Sequence, residues 1–226
     1  MSQSDSFIDE VTEEVRRDRN FALLKRYGWI ALLVVVVVVG AAAWNEYQKA
    51  TARAEAEALG DDLLSALQQA DPAERVTALA AVEVTGPGQS AVRNMLQAGE
   101  AVEAGDTAAA VDRLMAVAET EGLSRIYRDL ARFKALGLSG PGTSPADRRA
   151  GYEQLAAPGA PLRLMALEQI ALTQIEEGDR DAAVATLRGV LSDAELTAGL
   201  RQRISQLMVA LGEDPAGAEG AATGDQ

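Results

Sequence analysis

Sixteen consecutive residues without a charge, WIALLVVVVVVGAAAW from Trp29 to Trp44, interrupt a chain that elsewhere mixes apolar and polar positions at helical spacing. Extended to Tyr27 and Tyr47 the run has 21 residues. As a helix it covers roughly 31 Å, matching a bilayer core of about 30 Å. The valines from Val34 to Val39 would make a poor helix in water, but lipid forces the backbone to bond internally and makes them good spanning material. The pattern therefore predicts one transmembrane helix over 28–47. Tyr27, Trp29, Trp44 and Tyr47 stand at its interfaces, Val36 near its middle, and Gly40 at an end of small residues able to pack on another membrane helix.

Ahead of the run, Phe7, Ile8, Val11 and Val15 fall at helical spacing behind Ser4 and Ser6. They predict a short amphipathic helix in a leader over 1–27, either a docking element or a lead-in that only sets topology. Arg16, Arg17, Arg19, Lys25 and Arg26 precede the run, and only Lys49 and Arg53 follow it closely. That bias places the N-terminus in the cytoplasm and the rest of the chain on the opposite side, the periplasm in a bacterium. A cleaved secretory signal is the competing reading, because Ala41–Ala43 offers a cutting site. A long, partly acidic leader and the bulky Trp44 stand against it.

Beyond Tyr47 the pattern is helix, turn, helix, with breakers at Asp71-Pro72, Gly86-Pro87-Gly88, Gly105-Asp106, Gly140-Pro141-Gly142, Pro158-Gly159 and Gly178-Asp179. No segment alternates with period two for long enough to read as a strand. GDTAAAVDRLMAV from Gly105 and GDRDAAVATLRGV from Gly178 repeat one another at an offset of 73 residues, and Ala98 aligns with Ala171 and Glu103 with Glu176. The offset is close to two tetratricopeptide periods of about 34 residues. The repeat logic assigns packing roles. Ala98, Ala171, Ala110 and Ala183 let paired helices approach, Leu114 and Leu187 fill the seam, and Gly105 and Gly178 end a helix that the following Asp restarts. Four helix pairs follow: 50–70 with 73–82, 89–104 with 107–119, 124–137 with 145–156, and 161–177 with 180–192. A helix near 195–211 closes a repeat domain over 48–211, and the small, polar tail over 212–226 is expected to be disordered. The fold class is all-α, a single N-terminal transmembrane helix followed by a tetratricopeptide-like α-solenoid.

Composition narrows the chemistry. The 226 residues include no Cys and no His, which removes thiol nucleophiles, the usual zinc ligands and the commonest general acid or base. Carboxylate pairs such as Glu13-Glu14, Asp61-Asp62 and Glu176-Glu177 are adjacent on helices and point apart. The glycines near 86 and 137 lack the spacing of a phosphate loop. No enzyme, cofactor or metal is expected. Of the net charge of −13, the 28 acids and 16 bases after Trp44 carry −12, which disfavours nucleic acid.

DSFIDEVTEEVRRDR and KRYGW before the apolar run, and AVEAGDTAAAVDRL in the repeats, are the stretches in which the chain resembles a known family. It resembles the YfgM-type ancillary subunits of the SecYEG translocon, tetratricopeptide-like single-pass proteins of the bacterial inner membrane. The resemblance implies association with the Sec translocon and with periplasmic chaperones or exported proteins. The alternative is a structural scaffold for envelope assembly or cell division with the same topology.

Overall fold

The computed structural model describes residues 3–215, and the side chains of residues 3–28, Ala31 and Pro141 fall outside that description. Among the described residues there are nine α-helices, one short 3-10 turn and no strand. Two compact units are present, Met1–Gly60 and Asp61–Gln226.

In the first unit the backbone is one helix, α1, which extends over Gln3–Leu67. Val34 to Val39 are each more than half exposed, as are Trp29, Leu32 and Trp44. Six consecutive residues of a helix sample every direction around it, so this is an apolar cylinder rather than an amphipathic face. Trp44 and Tyr47, one turn apart, bring their rings within 6.3 Å. No helix among the described residues is long and apolar enough to cross a membrane, and neither Ala31 nor any side chain before Trp29 belongs to those residues. The leader helix expected from Phe7, Ile8, Val11 and Val15, and the Tyr27 side chain, lie outside the described side chains.

The second unit holds the end of α1, with Leu63 and Ala66 buried, and eight further helices. These are α2 (Pro72–Ala81), α3 (Pro87–Glu103), α4 (Thr107–Ala118), α5 (Arg125–Leu138), α6 (Pro145–Leu155), α7 (Arg163–Glu176), α8 (Arg180–Leu191) and α9 (Ala198–Ala210). Their starts follow from local chemistry. Asp71 accepts from the N–H groups of Ala73 and Glu74 ahead of Pro72, and Ser144 accepts from Asp147 N–H ahead of Pro145. In both, a short oxygen-bearing side chain satisfies donors that the first turn leaves free, and proline occupies a position that needs none.

Consecutive helices pack as neighbours, but not with even weight. α2 packs on α3, α3 on α4 and α4 on α5; α6 packs on α7 and α7 on α8, with α9 closing the end more lightly. The expected pairing of 50–70 with 73–82 is replaced, since the main neighbour of α2 is α3. The expected pair 124–137 with 145–156 is also loosened, because α5 and α6 meet over only a short stretch. Phe133 and Tyr152 touch edge to face there, their centroids 5.5 Å apart. Beside them Leu136 lies so close over Gly151 that a β-carbon would stand 2.6 Å from Leu136 Cδ2. The connection between these helices is the 3-10 turn Gly140–Gly142, where the outer pairs have a Gly-Asp joint.

Two cores result. One gathers Ala91, Ala98, Ala101, Ala110, Leu114, Val117, Ala131 and Ala135 from α3, α4 and α5. The other gathers Ala171, Ala183, Leu187, Val190, Leu200, Ile204 and Met208 from α7, α8 and α9. Ala110 and Ala183 are completely buried in them, so a larger side chain has nowhere to go. Ala110→Leu and Ala183→Leu are each expected to destabilise the chain by about 1–3 kcal/mol through overpacking. Thermal melting followed by circular dichroism checks this, and unchanged melting in both would contradict the alignment of the two repeats.

Candidate functional site

The two Gly-Asp joints are built alike. Gly105 has φ +80 and Gly178 φ +83, the left-handed region that a side chain resists. That turn lets Gly105 N–H donate to Val102 O and Asp106 N–H to Ala101 O; Gly178 and Asp179 do the same to Ile175 O and Gln174 O. The preceding helix thus closes with its last carbonyls satisfied. The same aspartates then open the next helix, Asp106 accepting from Ala109 N–H at 2.9 Å and Asp179 from Ala182 N–H at 3.0 Å. Ala98, Ala110 and Leu114 come together in the first core, and Ala171, Ala183 and Leu187 in the second. Trp29, Val36, Gly40, Trp44 and Tyr47, expected from the sequence to form an anchor, belong to the other unit and are exposed.

Sequence reasoning missed the arginines that tie the helices together. Arg75 of α2 donates to Glu100 and, at 2.8 Å, to Glu103 on α3, and Arg148 of α6 pairs with Glu176 of α7. Arg75 and Arg148 stand 73 residues apart, as do Glu103 and Glu176, so the same ion pair recurs in both repeats. The signal was present in the offset, but it becomes visible only when the alignment is carried back beyond the helix that contains Glu103. Arg149 pairs with Glu177, Arg203 of α9 grips Glu168 of α7 through two bonds of 2.9 and 2.8 Å, and Arg163 holds Asp193 and Glu195 at 2.8 Å each. The tail expected from Gly212 onward begins in an ordered way. Gly212 and Glu213 close α9 through Val209 O and Met208 O, and Glu213 binds Arg180 and Arg188; residues 216–226 lie outside the described residues.

Near the start of α7 an open cleft of about 520 Å³ is lined by Ala160, Pro161, Leu164, Met165 and Leu200, with Arg163 and Arg203 at its edge. Glu195 and Thr197 line it too, and both guanidiniums are already held by carboxylates, so the cleft is of mixed character. Among the described residues no three carboxylates gather where a metal ion could be held. α5 differs from its neighbours in exposing Ile126 and Tyr127.

A tandem of antiparallel helix pairs, joined by tight turns and sharing continuous cores, is the arrangement of a helical-repeat domain. The family model described as a tetratricopeptide repeat-like domain matches residues 22–138, just over half of the chain. The chain belongs to this family. Tetratricopeptide-like domains are protein-interaction modules and generally carry no catalysis, so the repeats act by presenting surfaces to other proteins. The match ends with α5, yet the joint at Gly178-Asp179 repeats the one inside it, so the tetratricopeptide-like architecture continues to α8. No curated protein and no solved structure matches the chain.

Two expectations follow. Gly178→Ala forces a β-carbon into a left-handed turn and is expected to cost about 1 kcal/mol; Gly189→Ala, in the open interior of α8, serves as the control that does not destabilise. Denaturant melts of both variants check it. The second concerns acid. The Asp193 carboxyl is held below its ordinary value of 3.8, first by the Glu195 N–H that donates to it and then by Arg163. A depressed carboxyl contributes stability that is complete above its unfolded value and lost as pH falls through the folded one. Below pH 3.8 the wild-type melting temperature should therefore fall more steeply than that of Asp193→Asn, as read from melts across the acid range.

Proposed function

We propose that the chain is a membrane-anchored adaptor, with α1 crossing the bilayer once and the repeats binding proteins on the side away from the cytoplasm. The observation that carries this reading is the apolar cylinder from Trp29 to Val39, exposed on every side. A one-sided apolar face would suit a partner helix; a complete cylinder suits lipid. The described side chains alone fall short of a span, so the full run, Ala31 and the flank to Tyr27 included, comes from the sequence. The family match takes in this run together with the first repeats. The five basic residues ahead of the run favour a cytoplasmic N-terminus.

Within that reading, the partner of the anchor is the Sec translocon and the partners of the repeats are periplasmic chaperones or exported chains. The resemblance to translocon ancillary subunits supports this assignment. The exposed Ile126 and Tyr127 on α5 and the cleft beside α7 give the repeats two places to hold protein.

Photo-crosslinking in cells from Val36 and from Tyr127, with mass-spectrometric identification of the adducts, tests it. Translocon subunits from Val36 with chaperones or exported chains from Tyr127 are expected. Division or outer-membrane assembly factors would replace the translocon reading with that of a scaffold, and extraction of the chain from membranes by alkaline carbonate would remove the anchor.

A further inference from the structure

Most of the basic side chains of the unit from Asp61 onward are engaged. Arg75, Arg125, Arg148, Arg149, Arg163, Arg180, Arg188 and Arg203 each reach a carboxylate, and Arg93 donates to Val82 O. Arg128, Arg132 and Lys134 on α5, and Arg113 on α4, have no ion pair or side-chain hydrogen bond among the described residues. Three of these four therefore crowd into seven residues of one helix, in a unit otherwise rich in acid.

Arg128 and Arg132 are four residues apart and share a face. Both are half-buried, flanking Ala131 and Ala135, which face the core with α4. Arg128 Nε is shut away from solvent without an acceptor. That nitrogen is out of a partner's reach, as are Arg93 Nε and Arg148 Nε; what the half-buried guanidinium offers an anion is its outer N–H donors, which have no acceptor among the described residues. Ile126 and Tyr127, exposed at the start of the same helix, lie around it from the arginines and form no part of their face.

We propose that α5 is the docking site for an acidic segment of a partner protein, which Arg128 and Arg132 grip through its carboxylates. This rests on the reading of the repeats as a protein-binding domain and names the partner's chemistry. The size of the anion follows from the charge around it. A broad polyanion such as a nucleic acid or an anionic bilayer meets the surrounding acids of the unit and is repelled. A short acidic segment laid on α5 is screened from them beyond a Debye length of about 8 Å and feels mainly the arginines. Lys134 lies around the helix from the arginines and supplies attraction at a distance.

The test uses the full chain in nanodiscs of zwitterionic lipid and the fluorescence anisotropy of a short peptide of glutamates interspersed with glycine, with a lysine counterpart as control. Wild type is expected to bind the acidic peptide and not the basic one, and more weakly as salt rises. Arg128→Gln with Arg132→Gln is expected to bind it about tenfold more weakly, while Arg113→Gln binds as wild type does. Circular dichroism melts confirm that the variants are folded, and Arg132→Gln alone, which leaves the buried Nε in place, is expected to show an intermediate loss. Equal binding by wild type and the double variant, or none by wild type, overturns the site on α5. Displacement of the peptide by vesicles of phosphatidylglycerol, but not by zwitterionic ones, would assign the arginines to lipid headgroups and overturn the proposal too. Neither result touches the adaptor reading, which falls only if crosslinking from the repeats returns no protein.

Discussion

A glycine followed by an aspartate has to end one helix and begin the next within two residues, and the repeat domain depends on that joint. Four carbonyls at the end of a helix and four N–H groups at the start of another would otherwise be left without partners at each turn. The left-handed glycine folds the chain back so that two of those carbonyls are satisfied, and the aspartate answers one of the donors. Because the joint is so short, the second helix must return antiparallel against the first. Only small side chains tolerate that approach, which is why alanines stand at both crossings, Ala98 with Ala110 and Ala171 with Ala183, and why Leu114 and Leu187 are placed one turn farther along.

The ion pairs add a second level. Hairpins with alanine seams bury little apolar surface per residue, and each leaves a face that its neighbour must cover. Arg75 with Glu103 and Arg148 with Glu176 fix where that neighbour lies, with one member of each pair well shielded from water and the other partly exposed. Pairs of this kind contribute modestly to stability. Their geometry is selective all the same, because the planar guanidinium accepts a carboxylate from one direction and so sets the register of one helix against the next.

Helix positions were legible because breakers in this sequence coincide with caps: Asp71-Pro72, Gly105-Asp106 and Gly178-Asp179 each announce both the end and the restart. Pairing was less legible. Periodicity says which residues face inward but not which neighbour they face, and for the segment 124–156 it suggested a closed hairpin that the structure opens. The cause lies in the connection, Gly140-Pro141-Gly142, which breaks a helix as surely as Gly-Asp does but offers no side chain to cap the next one; Ser144 does that four residues later. The ion pairs needed the offset of 73 residues to be extended, and the unpaired arginines needed a structure, since a sequence counts charges without showing which are engaged.

The open hairpin and the unpaired arginines are connected. A closed α5–α6 pair would demand small residues along the length of α5, as at Ala98 and Ala171 on α3 and α7. α5 instead meets α6 only near Phe133, Leu136 and Gly151, toward its C-terminal end, so that its first half packs on α4 without a second hairpin partner. Arg128 and Arg132 stand half-buried beside Ala131 and Ala135, which face the core, and neither finds a carboxylate, Arg128 Nε being out of reach of solvent as well. The loosened step in the solenoid is thus what makes room for a cationic surface, and the acidic surroundings make it distinct. A regular solenoid with every hairpin closed would be more uniformly packed and would have no such place to offer.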